Sequence, residues 1–261
     1  MFFLFVSLES EFIEKIVGDV LEKLHAMSSF GSSHTTAGLI GIDVRVSKVE
    51  SLLNINSPDV LIIGIWGMGG IGKTTIAQVV CSKVRSRFER IFFGNFRQQS
   101  DLRRSFLKWL LGKETLNTMG SLSFRDPFVR DRLRRKKLFI VLDDVHNSMA
   151  LEEWRDLLDG RNSSFGAGSK VLITSRDKQV LKNVVDKTYE VEGLNYEESL
   201  QLFSSKALKN CNPTIDHKEL IEKIVSHVQG NPLALINLGS SLYGKSTVEW
   251  CSALNKQSIF L

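Results

Sequence analysis

Val60-Leu61-Ile62-Ile63-Gly64-Ile65-Trp66 leads directly into Gly67-Met68-Gly69-Gly70-Ile71-Gly72-Lys73-Thr74, and Thr75-Ile76-Ala77-Gln78-Val79-Val80 follows. The first stretch is apolar without alternation, as in a parallel strand covered by helices on both faces. The last is compatible with a helix. The glycine-rich segment between them matches GxxxxGK[ST] in the strand–loop–helix context that the motif requires. Its glycines let backbone N–H groups converge on phosphate oxygens without a Cβ in the way. The first turn of the following helix adds its partial positive charge. Lys73 is placed to reach the β- and γ-phosphates, and the Thr74 hydroxyl to meet Mg²⁺. A glycine turn that binds nothing is the bland alternative. It suits a lone GxGxxG far better than a complete loop between a buried strand and a helix. The candidate nucleotide contacts are Gly67, Met68, Gly69, Gly70, Ile71, Gly72, Lys73, Thr74 and Thr75.

Similar apolar runs recur at residues 91–96, 138–142 and 170–174, each followed by polar, helix-compatible sequence. Alternation of this kind predicts an α/β fold with a doubly wound parallel sheet, the P-loop NTPase architecture. The run Leu138-Phe139-Ile140-Val141-Leu142 ends in Asp143-Asp144. A carboxylate at the C-terminal end of such a strand meets Mg²⁺, usually through water. Asp143 takes that role beside Thr74, and Asp144 is the candidate catalytic group that orients or deprotonates an attacking water. A pair of helix-capping aspartates is the alternative. The next strand ends in Ser175-Arg176-Asp177. An arginine there can reach a γ-phosphate. It can equally be a surface arginine paired with Asp177, and spacing alone leaves the two open.

After residue 194 the strand signal stops, and residues 196–209, 216–229, 231–243 and 247–255 read as helices. Acidic residues follow Tyr196, as suits a helix N-terminus. Asn231-Pro232 supplies an N-cap and a proline at the first helical position. Upstream of the first strand, residues 9–25 read as an amphipathic helix, 27–38 as a linker and 43–54 as a short helix. The expected domains are an N-terminal helix with its linker (1–37), a P-loop nucleotide-binding domain (38–193) and a small helical domain (194–261).

The 261 residues carry a net charge of +5, and residues 125–137, with seven basic and two acidic side chains, account for all of it. Such a patch can bind nucleic acid. Without interleaved aromatic or base-reading residues, a solvated helix end leading into a buried strand is preferred, and no nucleic-acid partner is expected. Cys81, Cys211 and Cys251 form no paired spacing, which suits a reducing, intracellular compartment. The histidines show no metal-ligand spacing. The apolar start Phe2-Phe3-Leu4-Phe5-Val6 is too short to span a membrane.

The order of motifs resembles the NB-ARC domain of plant disease-resistance proteins, in particular those with an N-terminal TIR domain and C-terminal leucine-rich repeats. The resemblance covers about residues 38 to 255. It rests on Gly38-Leu39-Ile40-Gly41-Ile42-Asp43, residues 64–75, 133–145 and 168–177, Tyr189-Glu190-Val191-Glu192-Gly193-Leu194, and Gly230-Asn231-Pro232-Leu233-Ala234-Leu235. It implies a switch that is off with ADP and on with ATP, with Mg²⁺ as cofactor and slow hydrolysis at most. By resemblance Arg176 senses the nucleotide, Pro232 packs near the adenine, and the backbone around Ile40 and Gly41 caps the base. The implied partners are adenine nucleotide and other immune-receptor chains, in the cytoplasm or nucleus.

Some features depart from the family. The TIR domain, winged-helix segment and leucine-rich repeats are expected to be absent, segment 97–130 looks short, and the usual Gly-Leu-Pro-Leu reads Gly230-Asn231-Pro232-Leu233. Two other readings stay open: a P-loop ATPase or kinase with real turnover, and a truncated fragment that pairs with full-length receptors.

Overall fold

The structure is a computed structural model that describes residues 38–97, 101–112, 122–159, 164–208 and 215–257. The helix expected at residues 9–25 lies outside these, as does Cys211. The described residues belong to one compact unit.

In chain order, α1 (Ile42–Leu53) precedes β1 (Leu61–Trp66), and α2 (Lys73–Val84) follows the glycine-rich loop. Next come β2 (Arg90–Asn95), α3 (Leu102–Leu111), α4 (Pro127–Arg134) and β3 (Leu138–Val145). A 3₁₀ segment, Ser148–Trp154, runs into α5 (Arg155–Leu158), followed by β4 (Lys170–Ser175), α6 (Lys178–Leu181) and β5 (Lys187–Glu190). The chain then turns wholly helical through α7 (Tyr196–Ala207), α8 (Ile215–Val228), α9 (Pro232–Leu242) and α10 (Thr247–Gln257). Among the described residues no helix is long and apolar enough to cross a membrane.

The five strands pair in the order β2-β3-β4-β1-β5, all parallel. Period-two alternation sends successive side chains to opposite faces of the sheet. Ile63, Ile65, Phe139, Val141 and Leu172 pack beneath α1 and α2. Ile62, Ile140, Leu142, Val171 and Ile173 pack on the other face with Phe106, Leu133, Trp154 and Leu181. Both faces are therefore covered, which is why the central strands read as unbroken apolar runs. The fifth strand, Lys187–Glu190, carries no such run. Among the described residues it pairs with β1 alone and sits at the sheet edge, where polar side chains are tolerated.

The chain order places β1 at the point where strand order reverses, with β4 on one side and β5 on the other. Ligands of open α/β sheets lie beyond the C-terminal ends of the strands at such a point. The loop after β1 is there, and the C-terminal ends of β3 and β4 face it.

Leu194, Leu202, Phe203, Leu235, Leu242 and Trp250 are among the residues of a third, separate core inside the helical segment. The Trp250 indole meets Phe203 edge-on at 5.8 Å and donates to the Leu242 carbonyl at 3.0 Å. Asn195 and Glu198 close a capping box at the start of α7. The segment is joined to the sheet by a tight crossing in which the Leu194 N–H donates to the Gly230 carbonyl at 2.8 Å. Gly230 has φ +72°, and a Cβ there would stand 2.2 Å from the Leu194 carbonyl oxygen. Gly230→Ala should therefore cost about 2 kcal/mol or more from left-handed strain and displacement of that carbonyl. Urea unfolding should show a lower midpoint at unchanged slope. A midpoint equal to that of the parent chain would mean that the crossing relaxes freely.

The basic stretch of residues 125–137 is α4 and the turn leading into the buried strand β3. Arg125 pairs with Asp156 at 2.8 Å, Arg135 with Asp131 at 2.9 Å, and Lys136 with Glu89 at 3.7 Å. Several of its charges are thus matched by local carboxylates.

Candidate functional site

Lys73 opens α2 with its side chain almost wholly buried, 7% exposed. Its ammonium donates to the carbonyls of Gly67 at 2.7 Å and Met68 at 2.9 Å, both in the glycine-rich loop. Burial, and then the nearby Arg176 guanidinium, push its pKa below the usual lysine value, while Asp144 and Asp143 oppose the shift. The ammonium is thus held over the loop by weak carbonyl dipoles that a phosphate can outbid.

Asp143 ends β3 with 0% exposure. Its carboxylate accepts from the hydroxyls of Thr174 at 2.6 Å and Thr74 at 2.9 Å, and from the Asn95 amide at 2.8 Å. Burial raises its pKa above the ordinary carboxylate value, partly offset by these three hydrogen bonds, while Asp144 adds to the rise. Three residue types expected of a Mg²⁺–phosphate site thus meet: the loop lysine, the loop threonine and the strand-end aspartate. Among the described residues no group of three His, Cys, Asp or Glu side chains converges.

Asp144 sits at an irregularity. The β3–β4 register shifts between Leu142 and Val145, and Asp144 has φ +55°. Successive residues of a regular strand point to opposite faces. The bulge re-aims Asp144 so that both carboxylates serve one end of the sheet. Its N–H donates to Thr174 Oγ1 at 2.9 Å. Its carboxylate pairs with Arg97 through Oδ2 and lies 3.8 Å from Arg176 through Oδ1. Arg176 also lies over the loop, with a guanidinium nitrogen 3.5 Å from where a Gly69 Cβ would be. Asp177 caps α6 instead, accepting from the Gln179 N–H at 2.8 Å.

The helical segment reaches the loop through α9. The Asn231 amide donates to the Gly69 carbonyl at 2.8 Å, and its oxygen caps α9 by accepting from the N–H groups of Leu233 and Ala234. The Leu233 N–H donates to the Gly70 carbonyl at 3.3 Å. Gly70 has φ +76°, and a Cβ there would fall 2.8 Å from Leu233 Cβ. Only glycine lets the loop and α9 touch this closely. Pro232 follows at the first turn of α9, close in sequence to these contacts.

Ile40 and Gly41 form the turn before α1. Ile40 packs against the helical core, and Gly41 is the α1 N-cap. The Gly41 carbonyl accepts from Arg45 at 2.7 Å, and the same guanidinium pairs with Glu198 at 3.2 Å and donates to the Gly193 carbonyl at 2.7 Å. Arg45 therefore ties this turn to α7 and to the crossing before it. Thr75 follows Thr74 inside α2, half-buried.

Sequence reading missed Asn95, Arg97 and Arg45, and took Asn231 only for a cap. Asn95 had a usable signal: it ends β2, and the parallel register sets it opposite Asp143. Arg97 had no such signal, because its partner Asp144 is set by strand order and by the register shift in β3. Arg45 had none, because its partners lie 147 or more residues away apart from Gly41.

The sequence profile of the NB-ARC domain matches residues 42–212. Disease resistance protein RPV1 of Vitis rotundifolia is 40% identical over 228 residues, which cover 84% of this chain and 16% of that protein. TMV resistance protein N of Nicotiana glutinosa is 35% identical over 257 residues, covering 94% of this chain and 22% of that protein. The chain thus spans about a fifth or less of the length of these relatives. Among solved structures, Cdc6p from Pyrobaculum aerophilum superposes with a TM-score of 0.56 at 16% identity, covering 81% of this chain and 62% of that one. That match bears on the fold alone, a parallel sheet covered by helices on both faces. By these sequence matches, the chain belongs to the NB-ARC domain family of plant disease-resistance proteins.

Proposed function

We propose that this chain is the ADP/ATP-binding switch module of a plant intracellular immune receptor, acting in the cytoplasm or nucleus and hydrolysing ATP slowly at most. The observation that carries this reading is the Asn231 clasp. The outward-facing carbonyls of the phosphate loop are bonded to the first turn of α9. A change in the loop is therefore felt by the helical segment directly. An enzyme selected for turnover has no need of such a coupling; a switch does.

In this reading the loop amides and Lys73 hold the β- and γ-phosphates, and Arg176 meets the terminal phosphate. Thr74 and Asp143 are the residues that would hold Mg²⁺. The metal, when bound, neutralises charge across the phosphates. Ile40, Gly41 and Pro232 flank the adenine. Asp144 orients the attacking water once its guanidinium partners turn to phosphate. Other receptor chains or domains are the partners that read the switch.

Amide exchange and turnover on one preparation test this. Mg-ADP should slow exchange at residues 230–235, and steady-state hydrolysis should stay at about 10⁻³ s⁻¹ or slower, the range of unassisted switch NTPases. Fast multiple turnover with no change at residues 230–235 would make the chain an ordinary P-loop ATPase.

A further inference from the structure

Asp144 stands between two arginines because of strand order. Since β3 lies between β2 and β4, Arg97, just beyond β2, and Arg176, just beyond β4, approach its carboxylate from opposite sides. Each guanidinium engages a different oxygen. Both arginine side chains are 54% exposed, whereas Asp144 is 19% exposed. Lys73 lies in the same electrostatic neighbourhood as Arg176, Asp144 and Asp143. Three cations thus face two carboxylates, one of them, Asp143, buried and already engaged by three neutral donors. The local balance favours an added anion.

We propose, building on the nucleotide-switch reading, that Arg97 is a second specificity-determining cation for the terminal phosphate of a nucleoside triphosphate. Asp144 is the carboxylate that holds Arg97 and Arg176 when no γ-phosphate competes for them. The guanidinium ends of both pairs are half exposed, so water screens them and can take the place of Asp144 when they turn away. A phosphate dianion offers a guanidinium a planar, charge-assisted pair that is stronger than a half-solvated one. A diphosphate presents no γ-oxygens and leaves the pairs in place. Asp144 then does two things in sequence. It is engaged by guanidinium groups with a diphosphate, and it is freed toward water with a triphosphate.

The test is calorimetric titration of the chain with Mg-ADP and with a non-hydrolysable Mg-ATP analogue. Arg97→Ala should weaken the triphosphate analogue about tenfold and change ADP binding by less than about twofold. Arg97→Lys, which keeps the charge without the fork, should recover part of the loss. Asp144→Asn keeps a residue at home at φ +55° and should raise the ratio of triphosphate to diphosphate affinity. Equal loss of both ligands in Arg97→Ala, no loss of either, or an unchanged ratio in Asp144→Asn would overturn the proposal. If the parent chain binds neither ligand, the nucleotide reading itself falls.

Discussion

Lys73→Ala is expected to abolish the thermal stabilisation that Mg-ADP gives the chain. A ligand that binds only the native state raises its stability by about 2.7 kcal/mol at a hundred times Kd. For a domain of this size that is a shift of several degrees. The ammonium of Lys73 is held over the loop by two carbonyls, those of Gly67 and Met68. Bound phosphate would take it over from them, and no other lysine starts α2. Removing it deletes the charge without rebuilding the loop. The fold should tolerate the change without ligand, because a buried cation whose pKa is depressed by burial carries a desolvation cost that alanine lacks. Melts of both proteins with and without millimolar Mg-ADP settle the point. A parent chain that melts at the same temperature with and without ADP would remove the nucleotide reading. A shift retained in Lys73→Ala would remove Lys73 from it.

How much of this was visible in the sequence depends on what each residue's environment demands. The central strands were legible because both faces of each are covered, so the middle residues of β1, β3 and β4 had to be apolar. The glycine-rich loop was legible because nothing but a convergent backbone asks for that spacing ahead of Lys73-Thr74. The helical segment announced itself through caps such as Asn231-Pro232. The edge strand Lys187–Glu190 was hidden because a strand paired on one side carries no obligatory apolar run. The Asp144 bulge was hidden because an apolar run ending in two aspartates looks the same with or without a register shift. Arg97 and Arg45 were hidden for a different reason. Their partners are set by strand order and by the helical segment's position, and neither is written in local periodicity.

The last expectation concerns Asp143, where the needs of the site and of the fold pull apart. Its carboxyl is fully buried, and burial raises its folded pKa above 3.8, the ordinary value that the unfolded chain would show. Between those two values the folded chain holds a proton that the unfolded chain has released. The contribution of this group to stability is therefore complete below pH 3.8 and is lost as pH rises through the raised value. Once ionised, this buried carboxylate is offset by the hydrogen bonds of Thr74, Thr174 and Asn95, with Lys73 the nearby cation. Asp143→Asn removes the charge and keeps a side chain of the same shape, and the two hydroxyls can reverse their bonds to suit it. In the absence of nucleotide this variant should be at least as stable as the parent at pH 7, and its stability should no longer decline across that pH window. Asp143→Ala instead takes this acceptor from one buried donor, Thr174, and two part-buried ones, Thr74 and Asn95, and should cost about 1–3 kcal/mol. Mg²⁺ selects the ionised carboxylate, so both variants should lose Mg²⁺-dependent nucleotide binding by about tenfold or more. Urea unfolding at a series of pH values, paired with nucleotide titration at varied Mg²⁺, reads both effects. If Asp143→Asn destabilises the chain as much as Asp143→Ala does, the aspartate is there for the fold. If it stabilises the chain while Mg²⁺ dependence disappears, the buried charge is kept for the ligand.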